Sequence, residues 1–350
     1  MVSSARAPLV CQRSSRGGRG YFATTAVAAA EELLRVRPIT MVLHDHHLAN
    51  RCAGCAASAA DTPQTLTACD TCGQLRLCKA CAPQCAAAHR AECDALRRLA
   101  NAPADVRPPT TTTLRLLMRC LVERHRASAR AQAEPTDTPL PELRRSPSVT
   151  EERFEHLRNL FKPPADELRD ELAAAFMATS QQARYFLDSC TRCNLDEGYD
   201  LMSALYCNSL TVYDRRATRD AWTAPVEVGV CISPAISMLN HSCEPSATWE
   251  LDDSGCLRIV ALRAIEPGEE VLLSYIDPRL PADERATSRR EAFFFGCDCA
   301  ACEGGVSAWC CALCGCACAP REATCGTRGC DGRREAHAMP LGVRKRLRAR

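Results

Sequence analysis

The pattern of apolar and polar positions divides the chain into a helical middle between two strand-rich parts. From residue 110 to 190 apolar residues return with helical period: Leu114, Leu117, Met118 and Leu121 form one stripe, and Leu168, Leu172, Ala175 and Phe176 another. Pro163 and Pro164, followed by Asp166 and Glu167, predict a helix start with carboxylates near its positive end. Between the stripes, residues 134–141 and 145–148 read as a linker of Pro, Ser, Thr and charged residues. Ahead of them, residues 16–45 predict a glycine-rich turn and short strands. Behind them the period shortens again. Trp249–Leu251 and Leu257–Leu262 flank the turn Asp252-Asp253-Ser254-Gly255 as a hairpin, and Val271–Tyr275 predicts a third strand after a turn at residues 266–269. The expected class is β-rich α+β with helical insertions.

With 350 residues, 46% of them hydrophobic, the chain is long enough for two or three domains around a substantial core. A formal charge of +2 gives no broad basic field, so nucleic acid is not expected as the main partner, although residues 344–350 make a basic, solvated tail. No apolar run approaches the roughly 20 residues that span a bilayer, so no membrane association is expected. Residues 1–30 lack acids, as a mitochondrial transit peptide does; the Gly17-Gly18-Arg19-Gly20 turn argues against reading them as a leader.

Cysteine changes the picture. The chain has 26 cysteines, and many fall at ligand spacing: Cys52-x2-Cys55, Cys69-x2-Cys72, Cys78-x2-Cys81 and His89-x3-Cys93. Each C-x2-C lets two thiolates of one tight turn grip one zinc ion, and His89 and Cys93 share a helix face. Such sites are structural, since protein fills every coordination position. Zinc in a reducing compartment, cytoplasmic or nuclear, accounts for the thiols better than disulfides do. Further on, Asn240-His241-Ser242-Cys243 delivers an amide, an imidazole and a thiol just after an apolar run. Cys297-x-Cys299-x2-Cys302 then offers three thiolates that need a fourth. Cys311, Cys314, Cys325 and Cys330 make a possible further zinc site, with Cys310, Cys316 and Cys318 as competing thiols.

In that order, Gly18-x-Gly20, the cysteine module, Asn240-His241-Ser242-Cys243, Glu269-Glu270 with Tyr275, and the C-x-C-x2-C tail resemble the SET and MYND domain (SMYD-type) protein lysine methyltransferases. The resemblance covers residues 16 to about 330. It implies a split SET domain of short, pseudoknotted sheets with an inserted MYND zinc finger, a helical insert and a cysteine-rich post-SET tail. The expected boundaries are 1–51 for the first SET part, 52–93 for the finger, 94–200 for the insert, 201–276 for the SET core, 277–332 for the post-SET region and 333–350 for the tail. The chain is expected to lack the long C-terminal helical repeat domain of many SMYD-type relatives.

By the same likeness, Cys52, Cys55, Cys78 and Cys81 hold one zinc, and Cys69, Cys72, His89 and Cys93 a second. Cys243 joins Cys297, Cys299 and Cys302 on a third. The family's third finger pair is usually C-x3-C, whereas position 82 here is alanine; Cys81 keeps the family's gap to His89, and Cys85 lies one helical turn later. Tyr206–Val212 looks like the strand that re-enters the SET core. Gly18, Arg19, Gly20, Asn208, Asn240, His241 and Phe295 are implied to bind S-adenosylmethionine. Tyr275 is implied to bind it too and to be the catalytic residue, its hydroxyl directed at the reacting centre. Phe293 stands in the substrate channel where relatives usually have a second tyrosine.

The implied activity is methyl transfer to lysine side chains of a protein, histone or otherwise. That reaction needs positioning more than acid-base machinery. The finger is implied to dock proline-containing peptides. A competing class is a MYND/SET adaptor with weak or no catalysis, which Phe293 favours and the remaining site residues oppose. A RING-like ubiquitin ligase shares the paired-zinc spacing but leaves Asn240–Cys243 and the C-x-C-x2-C tail unexplained.

Overall fold

The computed structural model describes residues 9–60, 65–133, 150–152, 154–214, 226–278 and 280–304. The linker at 134–149, the cysteines at 310–330 and the basic tail lie outside them. The described chain opens on a hairpin of β1 (Leu9–Arg13) and β2 (Arg19–Ala23). Its turn takes φ +110° at Gly17 and +63° at Gly18, a region that side chains disfavour. β1 escapes the sequence pattern because only Leu9 of its five residues is buried.

β3 (Glu32–Arg37) and β4 (Thr40–Leu43) follow. The cysteine module contributes a short ladder of β5 (Thr67–Ala68) and β6 (Arg76–Leu77), then α1 (Ala82–Ala100). Pro83 lies in the first turn of α1, where its missing N–H costs nothing. α1 runs unbroken past residue 93, so the module and the helical part share one rod.

The helical part is α2 (Thr112–Ala133), α3 (Asp170–Phe186) and α4 (Leu195–Asn208), with β7 (Thr150–Glu151) pairing parallel to β3 on the way. Two sequence expectations are corrected here. α3 starts at Asp170 rather than just after Pro164: the Glu167 N–H closes a separate turn on the Pro164 carbonyl, and Asp170 and Glu171 are the first-turn carboxylates. Residues 206–208 are helix rather than strand. Asn194 and Glu197 cap each other's backbone N–H groups at the start of α4, and Tyr206 packs 5.4 Å from the Phe176 ring, so the helix persists to Asn208.

β8 (Ser209–Tyr213) then pairs with β9 (Glu227–Ile232), which leads through α5 (Pro234–Ser237) to the hairpin of β10 (Ala247–Leu251) and β11 (Leu257–Ala261). α6 (Ala282–Phe293) and α7 (Ala300–Glu303) complete the described chain. The sheets are small: β10-β11-β3-β7, β4-β9-β8, and the two-stranded ladders β1-β2 and β5-β6.

The sheet β4-β9-β8 separates two cores. Met41, Leu43 and Cys231 face one, around Trp249, Ile259 and Leu273; Val42, Val230 and Ile232 face the helical one, around Leu117, Phe176 and Tyr206. Gly229 is required between β4 and β9, because a Cβ there would collide with the Val42 carbonyl.

Val271–Tyr275 forms no strand and belongs to no sheet, a third correction. Its neighbours pair with it for one residue at a time: Val271 N–H bonds the Tyr21 carbonyl at 2.8 Å, and Leu273 N–H bonds the Asn240 carbonyl at 2.9 Å. The segment is therefore laced between β2 and residues 240–242, and this lacing assembles the site.

Candidate active site and metal centres

α5 aims the chain into the site. Ser233 caps its N-terminus, and Oε1 of the Glu152 carboxyl accepts both the Ser233 hydroxyl at 2.9 Å and the Ala235 N–H at 2.6 Å. Burial pushes the Glu152 carboxyl up to about 8, against the lowering effect of those hydrogen bonds. Three residues after α5, Asn240 emerges half-buried. Its amide nitrogen donates to the Arg19 carbonyl at 3.2 Å and to Glu270 at 2.7 Å, while Ser14 donates to the other Glu270 oxygen at 2.9 Å. Gly20 is what permits this: a Cβ there would drive into Glu270 and Asn240. The glycine turn and the Asn240 segment are thus joined through one carboxylate.

His241 lies behind them, 5% exposed. Its Nδ1 accepts the Tyr275 N–H at 3.0 Å, so the neutral ring carries its proton on Nε2, which lies 3.4 Å from the Cys243 sulfur. The Tyr275 hydroxyl donates to the Leu239 carbonyl at 2.6 Å. Phe293, Phe295 and His241 surround the Tyr275 ring at 5.2, 5.9 and 5.3 Å. An added Cβ at Gly18 or Gly296 would meet no atom within 4 Å. The result is an aromatic wall with a polar, glycine-lined edge.

Three groups of metal-ligating atoms converge, each within 4.8 Å: Cys52, Cys55, Cys78 and Cys81; Cys69, Cys72, His89 and Cys93; Cys243, Cys297, Cys299 and Cys302. A tetrahedron with metal–sulfur bonds of about 2.3 Å has edges of about 3.8 Å. The structure gives 4.0 Å for Cys55–Cys78, 3.7 Å for Cys69–Cys93, 3.7 Å for Cys72 to His89 Nε2 and 3.5 Å for Cys243–Cys302. All these cysteines are free of disulfides. Soft sulfur donors with one imidazole, closed and largely buried, fit structural zinc.

Cys81 stands in the first group as the N-cap of α1, and Cys85 packs beside it outside the group. The first centre touches the β10–β11 hairpin, because the Gly255 turn lies against the backbone of Gly54 and Cys55.

Asn208 is placed differently from the rest. Both hydrogens of its amide are taken, by the Phe161 and Ala204 carbonyls at 2.8 Å each, and the residue is 3% exposed. Sequence reasoning gave no role to three charged residues that hold the site. Glu270, seen only as part of a motif, is one. Glu92 is the second: it is 2% exposed, lies 3.6 Å from His89 Nδ1 and accepts from the Arg119 guanidinium at both carboxylate oxygens. The Arg119 charge and the nearby His89 ring hold its carboxyl low against burial, which pulls the other way. Arg289, whose Nη1 donates to the Cys243 sulfur at 3.1 Å, is the third.

Residues 18–276 match the SET domain family model. A Gallus gallus protein named N-lysine methyltransferase SMYD2 is 27% identical over 288 residues, covering 81% of this chain and 57% of that protein. A Mus musculus protein named Histone-lysine N-methyltransferase SMYD3 is 28% identical over 242 residues, 66% of this chain and 48% of that protein. The chain therefore spans about half the length of the curated relatives it matches. A solved structure described as the SET domain of LSMT bound to lysine and AdoHcy overlaps it with a TM-score of 0.35 at 12% identity, over 77% of this chain and 50% of that one. With its glycine turn, Asn240–Cys243 segment and Tyr275 inside a family match that spans most of its length, the chain belongs to the SET domain family, and its relatives there are of the SMYD type.

Proposed function

We propose that this chain transfers a methyl group from S-adenosylmethionine to lysine side chains of a protein substrate. The observation that carries the reading is the junction of Gly20, Asn240 and Glu270 beside the ring cluster of His241, Tyr275, Phe293 and Phe295. A polar, glycine-lined rim fits the charged end of an amino-acid-bearing nucleoside, and the half-buried Phe295 ring fits its base. Gly18, Arg19, Gly20, Asn240, His241 and Phe295 would hold it. Asn208 offers only its amide oxygen. Bound there, S-adenosylmethionine supplies an electrophilic methyl group on a sulfonium.

The chain's own task is then to hold an amine in line with that group and keep water away, a positioning effect of up to about 7–11 kcal/mol in well-oriented reactions. Tyr275 is suited to it. Its hydroxyl proton points at Leu239, so towards an incoming amine the phenol oxygen is an acceptor. Phe293 adds an apolar wall 5.2 Å from that ring. The zinc centres are structural; the third ties Cys243, two residues from His241, to the segment behind Phe295.

The relatives' printed activities support lysine as the acceptor class. Proline-containing peptides at the finger, and residence in cytoplasm or nucleus, belong to the same proposal. Among the described residues no helix is long and apolar enough to cross a membrane. One observation favours a second reading, a partner-docking adaptor of weak activity: Phe293 brings no hydroxyl to the channel. The deciding assay supplies labelled S-adenosylmethionine and lysine-containing protein substrates. Methyl-lysine formed by the zinc-loaded chain and abolished in Tyr275→Phe supports transfer; equal, background labelling by both supports the adaptor.

A further inference from the structure

Arg285 and Arg289 of α6 are 1% and 3% exposed, as deeply buried as the apolar core. Burying a guanidinium without a counter-charge costs several kcal/mol. Among the described residues neither makes an ion pair with a carboxylate; Glu244 interacts with Arg285 electrostatically but from beyond ion-pair distance. Each also keeps its Nε N–H buried without an acceptor, so its hydrogen bonding is incomplete.

Both arginines instead face the third metal centre. Arg289 Nη1 donates to the Cys243 sulfur at 3.1 Å, and His241 Nε2 approaches the same fully buried sulfur at 3.4 Å. Two N–H donors on one sulfur suit a thiolate acceptor. Arg285 Nη2 donates at 2.9 Å to the carbonyl of Ala301, between the ligands Cys299 and Cys302, and its Nη1 donates to the Leu280 carbonyl at 2.6 Å. Four thiolates around a divalent ion leave two net negative charges, and the two arginines match them.

We propose that Arg289, with Arg285 behind it, is the built-in counter-charge of the Cys243–Cys297–Cys299–Cys302 centre, and that this charge sets how long the centre holds its zinc. The inference rests on the reading of that cluster as a zinc site. It makes α6 a lever between metal and pocket, because the same helix ends in Phe293, and Phe294 at φ +60° turns the chain so that Phe295 reaches the His241 ring at 5.5 Å. Arg289 is a positioning residue: it acts on the pocket through Cys243.

The test is zinc release from the full chain into a chromogenic chelator, with total zinc counted by elemental analysis. The release phase that disappears in Cys302→Ser is assigned to the third centre. Arg289→Met preserves bulk and removes the charge; Arg289→Lys keeps the charge. The expected result is a third-centre phase about 10- to 100-fold faster in Arg289→Met, largely restored in Arg289→Lys, with the two finger phases unchanged. Arg285→Met and Arg285→Lys repeat the comparison if an Arg289 variant does not fold. Equal release by wild type and the Met variant, or by the Met and Lys variants, overturns the counter-charge. A well-folded wild type with no zinc in the Cys302-dependent site overturns the zinc reading and the proposal with it.

Discussion

His241 and Tyr275 are joined ring to backbone: the imidazole Nδ1 accepts the Tyr275 N–H at 3.0 Å, and the opposite ring nitrogen approaches the Cys243 sulfur at 3.4 Å. One side chain therefore spans from the aromatic wall of the pocket to a metal centre. Loss of the third ion is expected to be felt at Tyr275 through this ring.

Gly20→Ala is expected to break the junction at the rim. The new methyl displaces Glu270, which loses its hydrogen bonds from Asn240 and Ser14, a stability loss of about 1–3 kcal/mol. Urea denaturation measures that loss, and binding of S-adenosylmethionine should fall with it. A variant that binds normally places the rim elsewhere.

Glu92→Gln is expected to weaken the second zinc about 10- to 100-fold while leaving the others, because the carboxylate that orients His89 and neutralises Arg119 is gone. Breaking a buried pair of this kind costs about 3–5 kcal/mol. Competition with a graded series of chelators measures the first effect, and unfolding in denaturant the second. Unchanged zinc retention would remove Glu92 from the site.

Cys81 and Cys85 make a controlled comparison, since both pack at the first thiol group and only Cys81 is in it. Cys81→Ser is expected to lower the zinc content by one ion per chain, and Cys85→Ser to leave it unchanged. The reverse result would give the fourth ligand to Cys85.

Glu152 predicts a pH dependence. Its folded carboxyl titrates at about 8 through burial, above the ordinary value of 4.5, so between those values the folded chain keeps a proton that the unfolded chain has lost. Stability therefore falls as pH rises through that window, with a slope of up to about 1.4 kcal/mol per unit from this group. Glu152→Gln should flatten the curve of melting temperature against pH between 5 and 8. Parallel curves would show that the carboxyl ionises without penalty.

What was legible in the sequence is what is local. C-x2-C pairs and the His89–Cys93 spacing are set within one turn or one helix face, and Asn240–Cys243 and Tyr275 stand in recognisable segments. The residues that hold those groups in place were not legible, because their partners are remote: Glu92 and Arg119 are 27 residues apart, Asn240 and Glu270 30, Cys243 and Arg289 46. Asn208 shows a different failure. The Asn194-x2-Glu197 capping box was present to signal a helix, and helix propagation from it carried Asn208 out of the expected strand. Val271–Tyr275 has strand-like residues but lacks a continuous partner, and pairing is a property of two segments.

The most direct test of the central claim is isothermal titration of the zinc-loaded chain with S-adenosylmethionine, beside Asn240→Ala. The account predicts micromolar binding by the wild type and its loss in the variant, whose amide no longer joins Arg19 to Glu270. No binding by a folded, zinc-replete wild type would contradict it.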